Sequence, residues 1–173
     1  MMAEAGFYLH AVGILGPKGA ILLMGHSGAG KTTLSNLVSD HFPILADDLV
    51  FAYPNKNSGW MIIGGKQIGI KNKADRISFL KNISLNDYVY PLHSLVRVFA
   101  AKETKIQSLS PIKTCEYLLN AVFELHIQSL EKNMFLRKEW FHSVADMARR
   151  CKGWELRFSL DAEQAVAAIR QAI

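Results

Sequence analysis

Cysteine is scarce in this chain: Cys115 and Cys151 are two residues among 173. Neither has the spacing to other thiols or histidines that a zinc site needs, so two reduced thiols are expected rather than a disulfide scaffold or a metal domain. Long hydrophobic runs are also missing. The longest apolar stretches fall well short of the roughly 18 residues of a membrane-spanning helix, and no membrane partner is expected. The opening "MMAEAGFYLHAVGIL" carries Glu4 and no early Lys or Arg, which does not describe a signal peptide, so a cytoplasmic location is expected. No internal repeat, low-complexity tract or linker interrupts the sequence. Residues 1–173 therefore read as a single domain, long enough to enclose a core.

The composition is that of a compact globular protein: 50% apolar, 10% aromatic and 20% charged. The net charge of +5 is unevenly spread. Lys66, Lys71, Lys73, Arg76 and Lys81 lie around a single acid, Asp75, and Arg149, Arg150 and Lys152 form a second basic group. Without interleaved aromatics or a nucleic-acid motif these read as solvated faces, and no nucleic-acid partner is expected.

The periodicity predicts an α/β domain with a β-rich first half and a helical second half. "FYLHAVGIL" and "AILLM", separated by the turn signal "GPKG", predict paired strands over 7–15 and 20–24. Helical spacing of Leu34, Leu37 and Val38 predicts a helix from Lys31 to about Asp40, ended by Pro43. "ILA" then reads as a short buried strand running into Asp47 and Asp48, and "LVFAY" with "WMIIG" as a hairpin. Residues 64–90 have no clear period. "PLHSLVRVFAA" and "TKIQSL" read as strands. Ser110 and Pro111 open a helix to about 129, with Leu118, Leu119, Val122, Phe123 and Leu125 on its apolar face. A second helix is predicted over 134–150 and stopped by Gly153. "WELRFSL" follows as a strand, and Asp161 caps a last helix through Ile169.

The most informative stretch is "GHSGAGKTTL". Gly25, His26, Ser27, Gly28, Ala29, Gly30, Lys31 and Thr32 match G-x-x-x-x-G-K-[ST], with an apolar strand before and an amphipathic helix after. Glycines let backbone N–H groups turn inward toward an anion, and the helix N-terminus adds its dipole. Lys31 could then reach the β- and γ-phosphates of a nucleotide, while the Thr32 hydroxyl could ligate Mg²⁺. Asp47 and Asp48 follow at the end of a strand, where an α/β sheet presents ligands. Adjacent carboxylates face different ways, so one suits a metal and the other an acceptor hydroxyl.

With these residues in view, "GHSGAGKTTLS…ILADDLV" resembles the catalytic core shared by HPr serine kinase/phosphorylase and ATP-dependent phosphoenolpyruvate carboxykinase. "LHAVGIL", "PLHSLVRVF", the helix opened by "LSP" and the closing "WELRFSLDAEQAVAAI" are similar to compact HPr-kinase-like proteins. The resemblance implies a P-loop kinase core of that type, with ATP and Mg²⁺ as cofactors. Gly25 to Thr33, including Thr33 itself, would hold the phosphates, Asp47 would act as base, and Asp48 with Thr32 would hold the metal. It implies a serine-type hydroxyl acceptor in a peptide or small protein; with such an acceptor, the basic segment Lys66 to Lys81 is a candidate for docking an acidic peptide. A small-metabolite kinase and a nucleotide-gated binding protein are the alternatives, and a homo-oligomeric state is left open. The chain departs from the family in having "WMIIGGKQIG" where compact relatives have a Gly-Thr-Pro-Trp-type segment, and in lacking the further N-terminal domain of full-length HPr kinase.

Other nucleotide-binding classes fit less well. There is no Leu-Ser-Gly-Gly-Gln signature and no arginine-rich lid. "NKAD" at 72–75 has the letters of a guanine-reading motif but follows no apolar strand. His10 reads as a core or hydrogen-bonded histidine, His26 as a spectator in the loop, Arg97 as a surface or salt-bridged residue. Trp60, Trp140 and Trp154 read as core or core-edge residues.

Overall fold

The computed structural model describes residues 6–57, 59–64, 88–132 and 134–173, with side chains placed outside 126–137. Residues 65–87 of the segment without a clear period, and with them the basic cluster Lys66 to Lys81, lie outside the described residues. The described residues form a mixed α/β structure, with nine strands among them in one branched sheet. The strands are β1 (Phe7–Leu9), β2 (Ala11–Gly16), β3 (Gly19–Met24), β4 (Ile44–Ala46), β5 (Val50–Asn55), β6 (Gly59–Ile63), β7 (Val89–Ala100), β8 (Lys105–Leu109) and β9 (Lys152–Phe158). The helices are α1 (Lys31–Val38), α2 (Pro111–Lys132), α3 (Met134–Arg150) and α4 (Ala162–Gln171). No helix among the described residues is long and apolar enough to cross a membrane.

The twelve-residue β7 organises the sheet. One of its edges pairs in parallel with β3; the other pairs first with β6, antiparallel over Val89 to Pro91, and then with β9, parallel over Ser94 to Ala100. β3, at the centre, is buried at every position, as its unbroken apolar run requires of a strand covered on both faces. Alternation then sorts its side chains. Ala20, Leu22 and Met24 join the cluster beneath α2 and α3 with Leu118, Val122, Val144 and Met147. Ile21 and Leu23 join the opposite cluster with Leu34, Val38, Ala165 and Ile169 of α1 and α4. Each such fully buried aliphatic side chain contributes about 1.5–3 kcal/mol.

Several local expectations hold. The hairpin of β5 and β6, the span of α3, and the caps of α2 and α4 agree with the reading. Lys113 N–H reaches Ser110 Oγ at 3.3 Å, and Gln164 N–H reaches Asp161 Oδ1 at 3.0 Å. Trp60 is buried, and Trp140 and Trp154 pack at the core's edge. Both cysteines are free thiols, and burial pushes the Cys151 thiol up to about 12.

Three expectations need correction. The strand predicted over 7–15 is two strands: it breaks at His10, because Phe7 to Leu9 pair with β5 whereas Ala11 onward pairs with β3. Gly153 does not stop α3. It lies inside β9, where a Cβ would collide with the side chain of Thr114 on α2. The apolar face of α2 is also narrower than expected. Leu118 and Val122 are buried, but Phe123 and Leu125 are exposed, and Phe123 lines an open cleft.

Candidate functional site

Strand register gathers the candidate residues at one edge of the sheet. β3 ends at Met24, and the glycine loop follows. Ala11, at the start of antiparallel β2, pairs with Met24, so His10 sits beside that end. β4 runs antiparallel to β2 with Ala46 opposite Gly13, which delivers Asp47 and Asp48 to the same edge. Arg97 of β7 pairs directly with Met24. This is the carboxyl edge of the parallel strands β3, β7 and β9, where open α/β sheets bind their ligands.

The loop between β3 and α1 has the backbone its sequence calls for. Gly28 and Gly30 have φ of +81° and +95°, both in the left-handed region that disfavours a Cβ. A Cβ at Gly30 would also meet the Phe158 ring at 2.7 Å, whereas one at Gly28 would meet nothing within 4 Å. The loop closes with Ala29 N–H on His26 C=O at 3.1 Å, and Gly30 caps α1 with no side chain in the way. The first N–H groups of α1 thus face outward. Lys31 is only 7% exposed; its Nζ donates to Gly25 O at 2.7 Å and His26 O at 3.2 Å. Burial holds its pKa below the ordinary 10.5, opposed by the attraction of Asp48, then Glu124, then Asp47. His26, Ser27, Thr32 and Thr33 are exposed at the mouth. Together with His10, the residues Ser27, Gly28, Gly30, Lys31, Thr32 and Thr33 line a cleft of about 270 Å³.

Asp48 is the one non-glycine residue with positive φ among the described residues, at +75°. Leu49 N–H donates to Asp47 C=O at 3.0 Å and closes a three-residue turn around it. Such a conformation costs about 1–3 kcal/mol and persists only where its surroundings hold it. The holding contact is visible: His10 Nε2 donates to Asp48 Oδ1 at 2.9 Å. His10 is therefore hydrogen-bonded, as expected, but to a residue of the site. Both carboxylates are exposed.

A second cleft, of about 390 Å³, opens on the α2 side of the loop. His10 lines both clefts and forms the boundary between them. Arg97 enters the second one between two rings, with Cζ 4.4 Å from the Phe99 centroid and 3.7 Å from that of Tyr117. The expected surface or salt-bridged role for Arg97 does not hold: it is half-buried, and its recorded partners are aromatic. Tyr117 is tied back through its hydroxyl to the buried Glu155, at 3.4 Å. Across the cleft, α2 presents Tyr117, Asn120, Ala121 and Glu124, an i, i+3, i+4, i+7 stripe. Sequence reading missed Tyr117, Asn120 and Glu124. The only available signal was that stripe, beside the buried Leu118 and Val122.

In the second basic group Lys152 is exposed, while the two arginines anchor a buried acid. Arg149 and Arg150 both bond Asp146, at 2.7 and 2.9 Å, and Asp146 also accepts from Trp60 Nε1 at 3.0 Å.

For a divalent cation the site offers hard oxygen donors: the Thr32 hydroxyl at the head of α1 and the exposed carboxylates of Asp47 and Asp48. No cluster of three or more His, Cys, Asp or Glu able to hold a metal occurs among the described residues. This donor set suits Mg²⁺, which keeps several waters and binds through one or two carboxylates plus phosphate oxygens.

No protein-family model and no curated protein matches the chain. Among solved structures it is similar to the HPr(Ser) kinase/phosphatase from Coxiella burnetii, at 11% identity over 95% of this chain and 94% of that one, with a TM-score of 0.45. A likeness at that level carries no inference about function, which rests on the chain's own geometry.

Proposed function

We propose that the protein transfers the γ-phosphate of ATP to a serine-type hydroxyl, with Mg²⁺ as cofactor. The observation that carries this reading is the shared edge. A glycine loop with a buried lysine and an open helix N-terminus adjoins a paired-aspartate turn bonded by His10, and a second cleft, lined in part by Gly25 and His26 of the same loop, lies across His10 from the first.

In this reading, backbone N–H groups of the stretch from Gly25 to Thr33 hold the α- and β-phosphates. Lys31 releases its hold on Gly25 O and His26 O and moves onto the β- and γ-oxygens. Mg²⁺ would bind at Thr32 and Asp48 and offset charge on the transferring phosphoryl group. The hydrogen bond from His10 orients the Asp48 carboxylate, the support a ligating carboxylate commonly has. Asp47 accepts the acceptor's proton as the acceptor oxygen bonds to the γ-phosphorus. The bond from the γ-phosphorus to the bridging oxygen breaks, and its electron pair leaves on ADP. Little covalent chemistry is asked of the protein beyond placement and charge.

The test is incubation with γ-labelled ATP, Mg²⁺ and mixed hydroxyl acceptors, read by mass spectrometry. Label should reach an acceptor with the wild type, fall by about 10²–10³-fold in Lys31→Ala, and fall similarly in Asp47→Asn. Undiminished transfer by Lys31→Ala would end this reading. Tight nucleotide binding with no transfer to any acceptor would favour a nucleotide-gated binding protein.

A further inference from the structure

The second cleft has walls of opposite charge. On the sheet side the Arg97 guanidinium is held flat between Phe99 and Tyr117, and no described residue gives it a carboxylate or a hydrogen bond. A half-buried guanidinium whose partners are rings keeps its planar fork of donors for a ligand, and carboxylates match that fork bidentately. On the helix side stand Glu124 and, one turn earlier, Asn120, with the small Ala121 between them leaving space. Two helical turns, about 10 Å, separate Tyr117 from Glu124 along α2. At about 390 Å³ the cleft lies at the low end of small-molecule sites, roughly 300–1,000 Å³.

We infer that this cleft takes a free hydroxy-α-amino acid as the phosphate acceptor, its carboxylate on Arg97, its ammonium on Glu124 and its hydroxyl directed past His10 toward the glycine loop. The inference rests on the kinase reading and names its substrate class. A serine within a peptide carries neither charge, and its amides would leave the half-buried Arg97 guanidinium without a counter-charge, while the exposed Glu124 would gain no cationic partner. The step is balanced: the amino-acid oxygen bonds to the γ-phosphorus, the γ-phosphorus to bridging-oxygen bond breaks onto ADP, and the hydroxyl proton passes to the aspartate pair. The product is an O-phospho-amino acid.

Transfer is measured with L-serine, L-threonine and L-homoserine, with L-serinamide and 3-hydroxypropionate, which each lack one charge, and with a capped serine peptide. At least one free amino acid should be used, and the singly charged analogues should fall at least about tenfold in kcat/KM. Arg97→Ala should raise the amino-acid KM by about 10- to 100-fold with ATP affinity retained, and Arg97→Lys should fall between. Equal use of L-serine and L-serinamide, or preference for the capped peptide, would overturn the inference. A second readout is independent of turnover: calorimetry with O-phospho-L-serine and its amide. Binding of the acid that depends on Arg97, without any transfer, would keep the cleft assignment and sink the kinase reading. Lack of binding by both compounds, or equal binding of both, would sink the cleft assignment while Lys31-dependent transfer tests the kinase reading on its own.

Discussion

The two clefts at the sheet edge meet at His10 but are built in different ways. The smaller is made almost wholly from one contiguous stretch, Ser27 to Thr33. The larger draws on β3, β7, α2 and the start of the glycine loop, and brings together residues more than seventy positions apart, such as Met24 and Arg97. A loop whose conformation demands glycine at set positions tolerates little variation. A cleft built from side chains on rigid elements can change what it binds by single substitutions without disturbing the fold.

Substitutions sharpen that contrast, from the largest effect downward. Lys31→Ala removes the one cation aimed into the cradle and should cost about 10²–10³-fold in transfer, measured with labelled ATP. Arg97→Ala should act on the other cleft alone, raising the acceptor KM about 10- to 100-fold while nucleotide affinity holds, which calorimetry with ATP separates from the transfer assay. Gly30→Ala should destabilise by about 2–3 kcal/mol, because left-handed strain is joined by a collision with Phe158. Gly28→Ala, with open space around it, should cost only about 1 kcal/mol; thermal unfolding of the two variants isolates the steric part.

A smaller effect lies away from both clefts, at Asp146. Burial raises its pKa, but hydrogen bonds from Arg149, Arg150 and Trp60 outweigh this and hold it below the ordinary 3.8. A carboxyl with a depressed folded pKa contributes stability above its unfolded value and loses it as pH falls through the folded one. Asp146→Asn should therefore cost about 1–2 kcal/mol at neutral pH. The difference from wild type should shrink below about pH 3.8, which chemical denaturation at a series of pH values would follow. A difference that persisted unchanged into acid would assign the contact to shape and not to charge.

The same contrast explains what the sequence disclosed. The glycine loop between β3 and α1 was legible because its demands are local: glycines, a lysine and a threonine in fixed order between a strand and a helix. The aspartate pair was legible as a strand-end motif, but the left-handed turn at Asp48 and its bond to His10 were not, because they arise where β1 passes into β2 and pairing partners change. Gly153 was misread because a glycine required by a neighbouring Thr114 looks the same in sequence as a helix stop. Phe123 was misread for a related reason: periodicity reports which residues could face a core, not where the core ends. Arg97 and Glu124 meet only through parallel pairing of β7 with β3 and the packing of α2 above them, information carried by topology.

The central claim is that the glycine loop is a nucleotide-phosphate cradle with Lys31 as its cation. Calorimetric titration of ATP with Mg²⁺ into the wild type and Lys31→Ala tests it most directly. One-site binding by the wild type, weakened about 100-fold in the variant, is the predicted result. Equal affinity for the two proteins, or no binding by a folded wild type, would contradict it.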